Sequence, residues 1–247
     1  MVGRAAARGW VRIGPDDRIA GWAAAALPLA QQALATSHED WRCGGTWFVG
    51  VDALTNDPDG AVAGVPLPWQ ALGLPAEPLH RAQLSVIRPG YPQPSPQESP
   101  AAFAFRRDRD AAHLDGLLAE GPDKRRFLRE PHGWILGLPL NDCGPGASPL
   151  VVWEGSHRIL MAALAPVLAR DPDADLTDIY AAARKQAFAS CPRVELPSRP
   201  GEATLLHRAT LHGVAPWAKG ATAPPEGRII AYFRPMLASV AAWAALP

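Results

Sequence analysis

Hydrophobic and polar positions change their pattern near residue 45 of this chain. In the run 15–35, Ile19, Trp22 and Leu29 fall on one helical face, which predicts an amphipathic helix. Further along, short apolar runs alternate with turn-forming residues, a pattern typical of β-strands. The predicted strands are Trp47–Val51, Leu79–Arg88, Ala111–Leu117, Trp134–Leu140, Leu150–Trp153, Arg193–Leu196, Ala203–Leu211 and Arg228–Met236.

A helical insert at 157–189 interrupts the strand series. It contains Ile159–Arg170 and a second helix whose N-cap is Asp175 or Thr177. Strands on both sides of such an insert predict a mainly β fold, an antiparallel barrel or jelly roll with helices packed outside. The length of 247 residues fits one domain, with residues 1–45 as an N-terminal helical elaboration.

Proline is dense between residues 89 and 100, where it occupies positions 89, 92, 94, 96 and 100. Since proline donates no ladder hydrogen bond, this stretch predicts a long surface loop, of the kind that often covers a binding site. The charged run Arg106–Asp110 follows it. This run either borders a substrate site that suits an anion or is solvated surface.

Composition narrows the choice of partners. The formal net charge is +0, so the chain has no basic surplus for nucleic acid, and a small-molecule substrate is the expected partner. The apolar run Ile19–Ala35 is too short to span a membrane. Three widely spaced cysteines, Cys43, Cys143 and Cys191, predict reduced thiols in a cytoplasmic protein.

The candidate chemistry begins with His113-Leu114-Asp115. On a strand, alternate residues point the same way, so His113 and Asp115 could reach one metal ion. With one distant histidine they would form the two-histidine, one-carboxylate set of non-haem Fe(II) oxygenases. The same spacing recurs in His38-Glu39-Asp40, which follows the predicted helix and is interpreted as a solvated loop.

A third ligand can come from His207 or His212. Because they are five residues apart, they point to opposite sides of a regular strand, so only one is expected to bind. Arg228 begins an otherwise apolar strand, and a buried arginine needs a carboxylate. The distal carboxylate of 2-oxoglutarate would serve, and an edge-strand salt bridge is the alternative.

An ordered set of motifs resembles the phytanoyl-CoA dioxygenase family of 2-oxoglutarate oxygenases. The set comprises His113-Leu114-Asp115, Trp134–Asp142, Trp153–His157, Gly201-Glu202, His207–Gly213 and Arg228. The resemblance implies a double-stranded β-helix with Fe(II) held by His113, Asp115 and His212. It also implies that O2 and 2-oxoglutarate are co-substrates and that Arg228 holds 2-oxoglutarate, with hydroxylation as the outcome.

The chain departs from the family pattern after His212. The family often has a small hydroxyl residue where this chain has Val214, and the insert Lys219–Glu226 lengthens the gap to Arg228. Gln83 and Asn141 are candidates for further polar contacts with the co-substrate.

Four other functions compete with the oxygenase. The chain could be a jelly-roll protein that binds a small molecule without catalysis, or a jelly-roll enzyme with another metal. A hydrolase centred on Ser156-His157 is disfavoured, because no GxSxG elbow is present. A halogenase is disfavoured by Asp115, since related halogenases have a small residue at that position.

Overall fold

The computed structural model describes residues 7–96 and 98–245. The strands are β1 Trp10–Ile13, β2 Trp47–Gly50, β3 Gln83–Ile87, β4 Leu117–Glu120, β5 Arg125–Leu128, β6 Trp134–Pro139, β7 Leu150–Trp153, β8 Arg193–Leu196, β9 Ala203–His207, β10 His212–Val214 and β11 Arg228–Phe233. The helices are α1 Asp17–Thr36, α2 Arg42–Gly45, α3 Trp69–Leu72, α4 Pro100–Asp108, α5 Ser156–Leu168, α6 Thr177–Ser190 and α7 Val240–Ala245.

Two antiparallel sheets face each other. The larger has six strands in the order β1-β9-β6-β11-β3-β2, and the smaller has three in the order β10-β7-β8. Their facing sides share one buried cluster, formed by Ile135 and Leu206 of the larger sheet and Leu150, Val152 and Leu196 of the smaller. This is a jelly roll with flanking helices, as the strand pattern predicts.

Helix α1 covers the outer face of the larger sheet. Its N-terminus is capped by Asp16, which accepts a hydrogen bond from the Arg18 amide. Trp22 is fully buried and packs against Phe233 of β11 with ring centroids 5.8 Å apart. Since side chains alternate along a strand, the residues of β11 that do not join this outer core, Arg228 among them, face the smaller sheet.

A second core lies at the other side of the molecule. Leu160, Leu164 and Leu168 of α5 pack with Tyr180 of α6 and with Trp243 of α7. The three leucines are four residues apart, so they lie on one face of the helix, and all three are buried. Within the described residues, no helix combines the length and apolarity that crossing a membrane requires.

Two predicted strands are wrong at the places where the site forms. Ala111–Leu117 is not a strand, because Asp110 and Ala111 both have φ of 53°, which extended backbone does not allow. Strand Ala203–Leu211 stops at His207, and a separate strand of the smaller sheet begins at His212. Helix α4 and the β4–β5 hairpin were not predicted.

The helical insert matches its prediction closely. Its two helices begin and end within one residue of the predicted 157–189 at the outer ends. The N-cap position of α6 is Leu176, and not Asp175 or Thr177. Asp175 nevertheless accepts a hydrogen bond from the Thr177 amide, 2.9 Å away, so it stabilises the first turn from one position further out.

Candidate metal centre and co-substrate site

Three potential ligands converge at one end of the space between the sheets. His113 and Asp115 lie on the irregular segment between α4 and β4, and His212 opens β10. Their ligand atoms all lie within 4.8 Å of one another. Among residues 7–96 and 98–245, no other group of three histidine, cysteine or acidic ligands converges in this way.

The backbones of the two histidines are joined directly. The His113 amide donates to the His212 carbonyl at 2.8 Å, and the His212 amide donates to the His113 carbonyl at 3.1 Å. This isolated β-bridge replaces the predicted strand as the device that brings His113 to the site. The side chains face one another as a result, with ring centroids 4.6 Å apart.

Both imidazoles are oriented by a backbone carbonyl. Nδ1 of His113 lies 3.0 Å from the Ala111 carbonyl, and Nδ1 of His212 lies 2.9 Å from the Thr210 carbonyl. A carbonyl only accepts, so Nδ1 carries a proton in each ring, and in the neutral form of each ring the lone pair lies on Nε2. The Nε2 atoms of His113 and His212 are 3.1 Å and 3.6 Å from Oδ1 of Asp115.

Asp115 and His212 are held in the protonation states that bind a metal ion. Burial opposes ionisation of Asp115, but the hydrogen bond from His113 and the nearby positive charges outweigh it, so the pKa of Asp115 lies well below its usual range. Burial lowers the pKa of His212 to about 4. Burial also works against the protonated form of His113, but Asp115 raises its pKa overall, so a cation bound here would take the place of the proton that His113 Nε2 shares with Asp115. An ionised carboxylate and a neutral imidazole are the forms that coordinate a cation.

His113 is the most accessible of the three ligands. Its side chain is 48% exposed, whereas that of His212 is 8% exposed. The His113 ring therefore lies at the mouth of the site, and solvent weakens the electrostatic effect of Asp115 on it.

An ion pair between the buried Asp110 and the partly exposed Arg193 anchors the segment that carries His113 and Asp115. The Asp110 carboxylate is 4% exposed and accepts two hydrogen bonds from Arg193 of β8, at 2.7 Å and 2.8 Å. The Val214 amide also donates to the Asp110 carbonyl at 2.9 Å. At Gly213 a Cβ atom would lie 2.1 Å from that carbonyl, so this close approach requires the glycine that follows His212.

Arg234 holds the other oxygen of Asp115. It lies just beyond β11 and places Nη1 3.4 Å from Oδ2 of Asp115 and Nη2 2.7 Å from Oε1 of Gln83. The sequence prediction included Gln83 but gave Arg234 no role at the metal. The structure places both residues on the wall of a cavity of about 650 Å³ next to His113 and Asp115.

Arg228 lies between the sheets without a hydrogen-bond partner. The residue is 6% exposed, and none of its three guanidinium nitrogens bonds to another described residue. The Tyr232 phenol is nearby; burial raises the pKa of Tyr232, and the Arg228 charge opposes this rise. Such a buried, unpaired cation is costly, which indicates that an anion completes the site.

Asn141 shapes the backbone around Arg228. Its Nδ2 donates to the Gly227 carbonyl at 2.7 Å, and its Oδ1 accepts from the Ile229 amide at 2.9 Å. Asn141 and Arg228 line a small space of about 20 Å³, separate from the larger cavity. The amide thus holds the two residues that flank Arg228 along the chain.

The competing histidines lie elsewhere. His207 ends β9 in the larger sheet and has its ring against His157, with centroids 5.0 Å apart. His207 and His212 are therefore separated by a change of sheet and not by opposite faces of one strand. His38 and Asp40 are exposed between α1 and α2, in agreement with the loop interpretation.

No family model matches the chain, and no curated protein matches it significantly. Solved structures do. One is the non-heme alpha ketoglutarate dependent carbocyclase SnoK from nogalamycin biosynthesis, with a TM-score of 0.50 and 15% identity over 95% of this chain and 82% of that one. Another is the epimerase SnoN in complex with Fe3+, alpha ketoglutarate and nogalamycin RO, with a TM-score of 0.51 and 16% identity over 95% and 81%. At this identity the likeness shows the shared fold.

Proposed function

We propose that this protein is an Fe(II)- and 2-oxoglutarate-dependent oxygenase that acts on a small molecule. His113, Asp115 and His212 would hold the iron, and Arg228 would hold the distal carboxylate of 2-oxoglutarate. The observation that carries the proposal is the pairing of the converged His-Asp-His cluster with a buried arginine that has no partner in the described chain.

The donor set fits Fe(II). Two neutral imidazoles and one ionised carboxylate on one side leave other coordination positions open, the arrangement used by non-haem iron oxygenases, and softer thiolate ligands are absent from the cluster. When bound there, Fe(II) with 2-oxoglutarate supplies oxidising power, because O2 and 2-oxoglutarate become succinate and CO2 with one oxygen atom left for the substrate.

The chain's own residues orient the reactants. The carbonyls of Ala111 and Thr210 keep both Nε2 lone pairs directed into the cluster. Arg234 occupies Oδ2 of Asp115, which leaves Oδ1 directed towards the histidines. Asn141 fixes the backbone on both sides of Arg228, so its support of the co-substrate is indirect unless its amide rearranges.

Hydroxylation is the outcome we propose. Asp115 supplies the carboxylate that halogenating relatives of the proposed class lack. The two structural neighbours are named as a carbocyclase and an epimerase. Product analysis should therefore include ring closure and inversion at carbon as well as an added oxygen atom.

The test is addition of Fe(II) and 2-oxoglutarate without O2, followed by visible spectroscopy. An oxygenase should give a metal-to-ligand charge-transfer band and should release succinate once O2 is admitted. Asp115→Ala should abolish both signals. Asp40→Ala is the matched control, since Asp40 has the same motif spacing on an exposed loop and should leave both unchanged.

The alternatives give different results in the same experiment. A binding protein without catalysis would retain no iron and show no band. An enzyme with another metal would retain that metal in purified protein and would ignore 2-oxoglutarate. Loss of turnover in Asp40→Ala with retention in Asp115→Ala would transfer the site to the first motif.

A further inference from the structure

The cavity beside the candidate metal centre is rich in positive charge. Its volume of about 650 Å³ lies in the range of sites that bind small organic molecules. Five arginines line it, and Asp115 is the one acidic residue among the lining residues that the structure describes. Those arginines are Arg42, Arg106, Arg126, Arg184 and Arg234.

Two of these arginines are already neutralised. Arg106 forms a salt bridge with Glu98 at 2.8 Å, and Arg234 contacts Asp115. The other three have no carboxylate within salt-bridge distance in the described part of the chain. Two of them, Arg126 and Arg184, lie near the same phenol, since both charges act on Tyr180.

The hairpin that carries Arg126 provides an internal comparison. Arg125 is paired with Asp175, and Arg129 is paired with Glu120 and Asp173. Arg126 lines the cavity and has no carboxylate partner. Its Nη1 donates one long hydrogen bond, of 3.4 Å, to the Leu117 carbonyl. On this hairpin, the two arginines outside the cavity each have a carboxylate partner, and the arginine that lines the cavity has none.

The Arg184 guanidinium packs against two aromatic rings. Its guanidinium carbon is 4.8 Å from the Phe105 ring centroid and 5.2 Å from that of Tyr180. These rings restrict the guanidinium without neutralising it, so it stays available to an anion. The Tyr180 hydroxyl accepts a hydrogen bond from the Leu114 amide at 3.2 Å, which places this group next to the residue between His113 and Asp115.

We infer that the substrate carries an oxyanion, a carboxylate or a phosphate ester, which Arg126 and Arg184 bind beside the metal centre. Its apolar part lies against Phe105 and Tyr180, which leaves the carbon to be oxidised nearer to His113. This inference rests on the proposed function, because the bound anion is a substrate only if the protein is an oxygenase. The anion subsite itself depends on the two arginines and not on iron.

The experiment uses three probes that share a phenyl ring: phenyl phosphate, phenylacetate and the neutral 2-phenylethanol. Each is titrated calorimetrically into the full chain loaded with Fe(II) and saturating 2-oxoglutarate without O2, so that the Arg228 site is already filled. At least one anion should bind about tenfold or more tightly than the alcohol. The tighter of the two anions identifies the oxyanion, and added salt should weaken its binding.

Variants decide whether the two arginines are responsible. Arg126→Gln with Arg184→Gln should weaken anion binding by about tenfold or more, and Arg184→Lys should retain part of it because the charge remains. Arg170→Gln is the matched control, since Arg170 is exposed and outside the cavity. Thermal melting of each variant checks that it is folded.

Two results would overturn the inference: equal binding of anions and alcohol, or unchanged anion binding in the double variant. The titration is repeated with metal-free protein to separate the two hypotheses. Arginine-dependent anion binding without a charge-transfer band would refute the oxygenase and keep the anion subsite. A normal band without anion selectivity would refute the subsite alone.

Discussion

Arg228 and Arg234 lie at the two ends of one strand but in opposite circumstances. Arg234 donates hydrogen bonds to Asp115 and Gln83, so its charge is used within the protein. Arg228 is also shielded from water, but it has no carboxylate partner and none of its nitrogens forms a hydrogen bond with a described residue. Arg234 therefore stabilises the folded site. Burial of the unpaired charge of Arg228 costs free energy, which a bound anion would offset.

The difference teaches how a structural charge can be told from a binding charge. Burial alone does not distinguish them, since both side chains are largely shielded from solvent. The presence of a partner does. The same criterion applies to other like residues in this chain, and among them the two histidines should show the largest contrast.

The histidine pair should differ most. His212→Ala should lose bound iron outright, because the Nε2 atom directed at Asp115 is removed. His207→Ala should keep its iron, because His207 belongs to the other sheet and its Nδ1 accepts from the Ala209 amide at 3.1 Å. Metal analysis of both purified variants measures this contrast. Full iron content in the His212 variant would remove that residue from the site.

Arg228→Ala should come next. A charge-assisted contact with a carboxylate is worth about 1.5–3 kcal/mol, so the 2-oxoglutarate concentration for half-maximal succinate release should rise by about ten- to a hundredfold. Iron content should be unchanged, because Arg228 is not part of the cluster. Lysine should restore the response in part, since it lacks the planar fork.

An unchanged 2-oxoglutarate response in Arg228→Ala would show that Arg228 is not the binding charge. The carboxylate would then be held by another cation, and Arg234 on the same strand face would be the first to test. The experiment can distinguish the two arginines because they border different spaces. Arg228 lies beside Asn141, and Arg234 lies beside His113.

Arg193 tests the criterion on stability. Arg193→Ala would leave the buried Asp110 without its cation, and because Arg193 is itself 40% exposed, the free energy of unfolding should fall by about 2 kcal/mol. Arg107→Ala is the control, because the Arg107–Asp108 pair is about half exposed on both sides and should contribute much less. Urea unfolding of both variants gives the two values. Equal values would show that the buried pair has no special weight.

Arg234→Gln should have the smallest effect. Glutamine can still donate to a neighbouring oxygen, and Asp115 keeps its contact with His113, so iron should be retained. We expect turnover to fall by about threefold to tenfold, which corresponds to the loss of one long ionic contact of 3.4 Å. A charge-transfer titration separates this from a change in 2-oxoglutarate affinity. Loss of iron would place Arg234 among the residues that assemble the cluster.

The sequence predicted the regular parts of the fold well. Strands β7 and β8 have the predicted bounds, and α1 begins within two residues of its prediction. Their hydrophobic periodicity is local and needs no distant partner to be recognised. Helix α4 was missed because the proline-rich run was given to one loop, although Ser99 before Pro100 forms an N-cap with a proline at the first helical position.

The irregular parts were beyond the sequence pattern for a physical reason. The break after β9 involves Arg208, whose buried guanidinium donates to the Trp243 carbonyl at 3.1 Å and 3.2 Å, a contact made across 35 positions. The bend before His113 depends on Asp110 meeting Arg193 across 83 positions. Alternation of polar and apolar residues contains no information on such pairs.

The candidate ligands could be chosen from the sequence, but their placement could not. His113, Asp115 and His212 do come together, although the argument from strand alternation that first grouped two of them is wrong for this backbone. Their identity as iron ligands stays a prediction. The cavity arginines were missed because Arg126 and Arg184 lie on separate elements without a shared motif.

The backbone bridge between the two histidines has a consequence for the order of events during folding. It joins positions 99 residues apart, so the chain between them must be made before the bridge can form. Contacts of such long sequence separation form slowly. A chain still emerging from the ribosome therefore presents His113 and Asp115 before His212 has been made. The proposed iron ion would find its complete ligand set only after the second half of the chain has joined the smaller sheet.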